Sequence, residues 1–179
     1  IWGQSAQSAI GAGDLDAARS DLGRAVALSP YNADAQRALA RLHVAAGRDD
    51  EAWTRFEALP PGTADDAESQ VLFGAIALRL DKFDDAARLS RAALEALDGS
   101  ETLAEVEARR VLGTALLEQK QAAEARTTLK HALDEAQAAL GYDPLQRGQV
   151  LELGLALADA NAVLQQIDPA LALYDRVLD

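Results

Sequence analysis

The chain has 179 residues, of which 49% are hydrophobic but only 4% aromatic, so Ala and Leu, the strongest helix formers, supply most of the apolar mass. Seventeen Lys and Arg against 29 Asp and Glu give a net charge of -12, and the longest basic run is Arg109-Arg110, a balance that argues against nucleic acid or an anionic membrane surface as partner. The absence of Cys excludes disulfides, thiolate metal sites and Cys nucleophiles and leaves the compartment open, while no apolar run reaches the ~18 residues of a membrane-spanning helix.

The sequence opens Ile1-Trp2 and contains no Met, which is read as a trimmed product or a piece of a longer protein. Only Lys82, Lys120 and Lys130 are Lys, and with the heavy Ala usage this points to a GC-rich, bacterial source.

The first element in chain order, "AIGAGDLDAA" at 9–18, has two readings. Gly11 and Gly13 fit a dinucleotide pyrophosphate turn, but such a turn must follow a buried strand and open a helix. The preceding "SAQSAI" has no β-branched apolar run, and about 20 residues on, where an acidic residue should end a second strand, stands "SPYNADAQ", a turn into a helix. A bend between two helices fits better, with Gly13 at a helix C-terminus and Asp14 and Asp16 favouring the start of the next helix.

That bend recurs. "GDLDAARSDLGRAV" from Gly13, "GRDDEAWTRFEALP" from Gly47 and "DKFDDAARLSRAAL" from Asp81 are offset by 34 residues each, with Ala18, Ala52 and Ala86 in register and Asp16, Asp50 and Asp84 two residues earlier. Two further copies place Ala125 and Ala170 in the slot after gaps of 39 and 45. Upstream of the second copy, "NADAQRALARLHVAA" at 32–46 carries Ala35, Ala38, Leu39, Leu42 and Ala46 at helical spacing, so the unit is helix, tight turn, helix. The small slot residue lets two backbones approach, and Leu22, Phe56, Leu129 or Tyr174 four positions later fills the space beside it; Ser90 weakens this in the third copy.

With Trp2, Gly13, Ala18, Leu22, Ala25 and Pro30 in the first copy, and the pairs Phe73-Gly74 and Leu112-Gly113 in the third and fourth, the pattern resembles the tetratricopeptide repeat. "ALGYDPLQ" at 139–146 resembles, without its His, the linker of the longer repeats in kinesin light chains and bacterial signalling regulators. The resemblance implies an all-α, right-handed superhelical solenoid of about five repeats in one domain, with approximate bounds 1–32, 33–66, 67–105, 106–144 and 145–179. The longer gaps are read as a stretched connection, Asp98-Gly99 ending one helix and Ser100 or Thr102 capping the next with Glu105 as its capping-box acid, and as a Gly141 stop before Asp143-Pro144.

Nothing in the pattern points to catalysis, a metal or a cofactor. His43 and His131 come from different copies without motif-spaced ligands, and Asp49-Asp50, Asp65-Asp66 and Asp84-Asp85 fall at helix starts, where carboxylates satisfy free amides. Trp2 and Phe83 are read as core, and Trp53, just after the slot Ala, as partly exposed and a secondary contact candidate.

The family's concave face implies inward positions: Gln4 and Gln7, Arg37 and Arg41, Val71 and Ala75, Arg110 and Thr114, Leu155 and Asp159. Arg37, Arg41 and Arg110 on one face of an acidic chain either grip an acidic peptide's carboxylates or neutralise neighbours such as Asp34 and Glu107. Gly3, Gln7 and Ala38 replace the Lys and Asn of the family's chaperone-tail clamp. In "DPALALYDRVLD", Asp168 is read as a cap and Pro169 as the first helical residue, and Leu171, Val177 and Leu178 as an apolar edge for self-association or further repeats. The expected function is a non-catalytic protein-interaction scaffold; the alternative is a regulatory sensor module of a bacterial regulator.

Overall fold

The computed structural model describes residues 15–99, 102–140 and 147–178. Among them are nine helices and no strand: α1 (Leu15–Leu28), α2 (Ala33–Ala45), α3 (Asp49–Glu57), α4 (Ala67–Arg79), α5 (Phe83–Leu97), α6 (Leu103–Glu118), α7 (Ala122–Leu140), α8 (Arg147–Val163) and α9 (Ile167–Leu178). Four pairs follow one another, α2–α3, α4–α5, α6–α7 and α8–α9, preceded by α1, which occupies the second-helix place of the first copy.

Each turn inside these four pairs is built in the same way. Gly47, Asp81, Lys120 and Gln165 occupy the column that begins with Gly13, and all four are left-handed, with φ of 68, 56, 63 and 58°. The following amide reaches back over the turn, Arg48 to the His43 carbonyl at 2.8 Å, Lys82 to Ala77 at 2.9 Å, Gln121 to Leu116 at 2.8 Å and Gln166 to Asn161 at 2.9 Å. This Schellman closure satisfies helix-end carbonyls and fixes where the second helix starts. It also corrects the last expected start. Because the closure ends on Gln166, α9 begins at Ile167, and Asp168 and Pro169 lie within its first turn rather than at the cap and first helical position. Gly13, Asp14 and Gly141 to Pro144 lie outside the described residues.

First helices start on side-chain caps. Asn32 accepts from the Ala35 amide at 2.9 Å, Asp66 from the Ser69 amide at 2.9 Å, and Thr102 from the Glu105 amide at 3.4 Å. Asp98 and Gly99, at φ 46 and 70°, end α5. The third and fourth units therefore meet at this connection, and the expected 105/106 bound falls inside α6.

The slot alanines Ala52, Ala86 and Ala125 are fully buried and Ala170 is 3% exposed; the side chain of Ala18 is outside the described set. The first helices carry a second column of thin residues, Ala40, Gly74, Gly113 and Ala158, also buried. Thin residues on both partners let α4 and α5, and α6 and α7, pack closely along their lengths.

Every helix packs on its successor, and first helices also touch one another, α2 on α4, α4 on α6 and α6 on α8, whereas alternate second helices barely meet. A ribbon whose first helices are the closer-spaced layer bends toward them. They form its inner face.

Candidate functional site

The residues expected on the inner face divide into three kinds. Arg37 and Arg110 are largely buried, Val71, Ala75 and Thr114 are half-buried, and Arg41, Leu155 and Asp159 are exposed. Gln4 and Gln7 lie outside the described residues. The Thr114 hydroxyl donates to the Arg110 carbonyl at 2.9 Å, and Asp159 accepts from the Tyr174 hydroxyl of α9 at 2.5 Å, a bond that raises the phenol above its ordinary value.

Arg37 is held on all sides by its own chain. It pairs with Asp34 on its helix and with Asp66, the cap of α4, lies 3.6 Å from Glu68, and donates to the Ser69 hydroxyl at 3.1 Å. Burial raises the Asp66 carboxyl, but the Ser69 hydroxyl and amide bonds and the Arg37 charge outweigh it and leave the group below its ordinary value. The cleft above, about 520 Å³ between the N-terminal ends of α2 and α4, thus has one guanidinium among three carboxylates.

Arg110 is in a similar state. Two bonds to Glu107, at 2.8 and 2.7 Å, hold its guanidinium charged against the cost of burial, and Glu152 of α8 stands 3.8 Å away. Neutralisation by neighbours accordingly describes Arg37 and Arg110. Arg41 alone of the three makes no ion pair among the described residues. Reading along the sequence missed Arg109, which bridges Glu105 and Glu135 at 2.6 Å each and ties α6 to α7. Glu105 is 2% exposed, so the capping-box acid also serves as a buried ion-pair partner.

At the C-terminal edge Leu151, Ile167 and Leu171 are 38%, 56% and 53% exposed. Leu151 stands in the column of Val106, which is 4% exposed and packs in one cluster with Leu153 and Leu157 of the following pair. Val177 and Leu178 belong to α9, but their side chains are outside the described set.

Trp53 corrects the sequence expectation. It is 4% exposed, lies tilted at 44° against Phe56 with ring centroids 5.0 Å apart, and donates its indole N–H to Glu57 at 2.7 Å. The residue after the slot Ala faces the joint with the next pair, so its bulk is structural. Phe83 is half-buried against the same core, and His131 is exposed. Among the described residues no group of His, Asp and Glu is placed to hold a metal ion, and no helix is long and apolar enough to cross a membrane.

Two family models described as tetratricopeptide repeat match residues 9–72 and 72–139. No curated protein sequence matches. Among solved structures the chain is similar to MamA, with TM-score 0.77 and 13% identity over 99% of this chain and 88% of that one. It is also similar to YrrB, described as a TPR protein with an unusual peptide-binding site, at TM-score 0.74 and 16% identity over 99% and 84%. A third likeness is to the nearly identical TPR-like repeats of a putative kinesin light chain from Podosopora anserina, at TM-score 0.70 and 19% identity over 98% and 91%. At these identities the likeness is one of fold.

Proposed function

We propose that this chain, which belongs to the tetratricopeptide repeat family, is a non-catalytic scaffold that holds a segment of a partner protein against α2, α4, α6 and α8 and so helps assemble a larger complex. The observation that carries this reading is the closer spacing of the first helices, which makes their shared surface the inner side of the ribbon. Peptide binding by a fold relative such as YrrB supports it.

The partner segment meets apolar ground at Val71, Ala75 and Leu155, polar groups at Thr114 and Asp159, and one unengaged cation at Arg41. With Arg37 and Arg110 already balanced by carboxylates, an acidic side chain on the partner is gripped at Arg41. The C-terminal edge of Leu151, Leu171, Val177 and Leu178 is a second contact surface, for another copy or further repeats.

The test is affinity capture of the native partner with wild type, with Arg41→Ala, with Val71→Glu plus Leu155→Glu, and with Arg37, Arg41 and Arg110 all changed to Ala. Loss of capture in the apolar double variant, and a weaker, less salt-sensitive interaction for Arg41→Ala, are expected. Unchanged capture and salt dependence in all of them would end the inner-face proposal.

A further inference from the structure

On the outer side, where α1, the last turn of α2 and α3 meet, lies a pocket of about 350 Å³. Its walls carry Arg19, Arg48 and Arg55 but only one carboxylate, Glu51, on a chain whose net charge is -12. The His43 side chain, 6% exposed, lies against it with Nδ1 2.9 Å from a Glu51 oxygen, while Nε2 accepts from Arg55 Nε at 3.2 Å. Arg48 lies 3.5 Å from Glu51, and Arg19 makes no ion pair among the described residues.

The repeat register shows how unusual these residues are. In the column of Arg19 stand Trp53 and Ala87, 4% and 2% exposed; in that of His43, Ala77 and Leu116, both fully buried; in that of Arg55, Leu89, 3% exposed. Columns that close the second joint with apolar packing thus hold ionisable groups at the first, and the seam stays open; at the third joint the half-buried Thr128 stands in the column of Arg55. The corresponding seam of the last pair is also open, but Leu173 replaces Arg55, and Arg126, in the column of Arg19, donates to Gln166 at 2.8 Å. Burial and the charges of Arg55, Arg48 and Arg19 outweigh Glu51 and hold the His43 imidazole below its ordinary value of 6.5, so it is neutral at pH 7. Three guanidiniums against one carboxylate leave two uncompensated positive charges, which match a phosphoryl group of about −1.5 to −2 better than a single carboxylate.

We infer that this pocket binds a phosphoryl group through Arg19, Arg48 and Arg55, with the His43 imidazole beside the anion. The site lies between α1, α3 and the end of α2 and uses none of the residues named for the inner face, so the two proposals stand or fall separately.

Because His43 and His131 are the only His, imidazole NMR on the 179-residue chain reports the site with a built-in control. Titration with inorganic phosphate at pH 7 is expected to shift the His43 resonances saturably, raise its pKa and leave the exposed His131 unmoved. Arg19→Gln should weaken binding by about tenfold, and Glu51→Gln should tighten it. A phosphoserine hexapeptide that binds more tightly than phosphate, while its unphosphorylated form does not bind, identifies a modified protein as the source; equal affinity for the two phosphoryl compounds identifies free phosphate or a small ester. Shifts linear in phosphate, equal shifts at both His, or an unaltered affinity in Arg19→Gln would overturn the site.

Discussion

Gly113 on α6 faces Leu129 on α7 so closely that a Cβ on the glycine would stand 2.4 Å from the Leu129 Cγ. The second residue of the Leu-Gly pair is therefore a spacing requirement, because this helix pair closes over a leucine that is itself fully buried. Gly113→Ala is expected to destabilise the fold by about 1–3 kcal/mol through overpacking. Gly113→Ala combined with Leu129→Ala should recover part of that loss relative to Leu129→Ala alone, a coupling readable in a denaturant double-mutant cycle.

Ser90 fills the Leu129 slot one pair earlier, where the glycine opposite is Gly74 and its Cβ would meet the Ser90 hydroxyl at 3.2 Å. That hydroxyl is buried without a hydrogen-bond partner, so Ser90→Ala should be neutral or stabilising by about 1 kcal/mol in thermal or urea unfolding. A loss of more than that would mean the hydroxyl has a partner.

Asp81, Lys120 and Gln165 adopt the left-handed conformation that Gly47 adopts without cost. Lys120→Gly and Gln165→Gly should each stabilise by about 0.5–1 kcal/mol, whereas Gly47→Ala should destabilise by a similar amount. Asp tolerates this conformation better than most residues, so Asp81→Gly should gain least. Equal melting temperatures across the set would contradict the shared Schellman closure.

These turns are legible in the sequence as a column of the register, and so are the buried alanines, since both follow from local chain geometry repeated at a fixed interval. The inner-face arginines are legible as positions but not as charge states. The partner Asp66 of Arg37 lies 29 residues on and belongs to a cap read only as a helix start. The Arg19, His43 and Arg55 cluster leaves a trace, ionisable residues in columns that are apolar at the second joint, which becomes visible only when the copies are compared position by position. Trp53 is misread because burial at that position depends on how successive pairs stack, not on the periodicity of its own helix.

The Arg37 and Asp66 pair makes the joint between the second and third units sensitive to acid. The folded carboxyl titrates below 3.8, its ordinary value, so its contribution is fully present above that pH and is lost as pH falls through the folded value. Asp66→Asn keeps a competent cap and removes the titration. It should be less stable than wild type at pH 7, and the gap should narrow on acidification from pH 5 toward about pH 2. A constant gap would show that Asp66 does not contribute through its charge.

Leu151 and Val106 offer the sharpest test of the C-terminal edge, because they stand in one column with opposite exposure. Val106 packs against the next pair, so Val106→Lys buries an unpaired charge and should cost more than about 3 kcal/mol. Leu151→Lys places the same group in solvent and should stay within about 0.5 kcal/mol of wild type. If the edge receives a second copy, wild type should sediment as a concentration-dependent mixture, and Leu151→Lys combined with Leu171→Lys should sediment as a monomer at every concentration. Wild type that is monomeric throughout would remove self-association from the proposal. If Leu151→Lys were as destabilising as Val106→Lys, the leucine would already be packed and the edge closed.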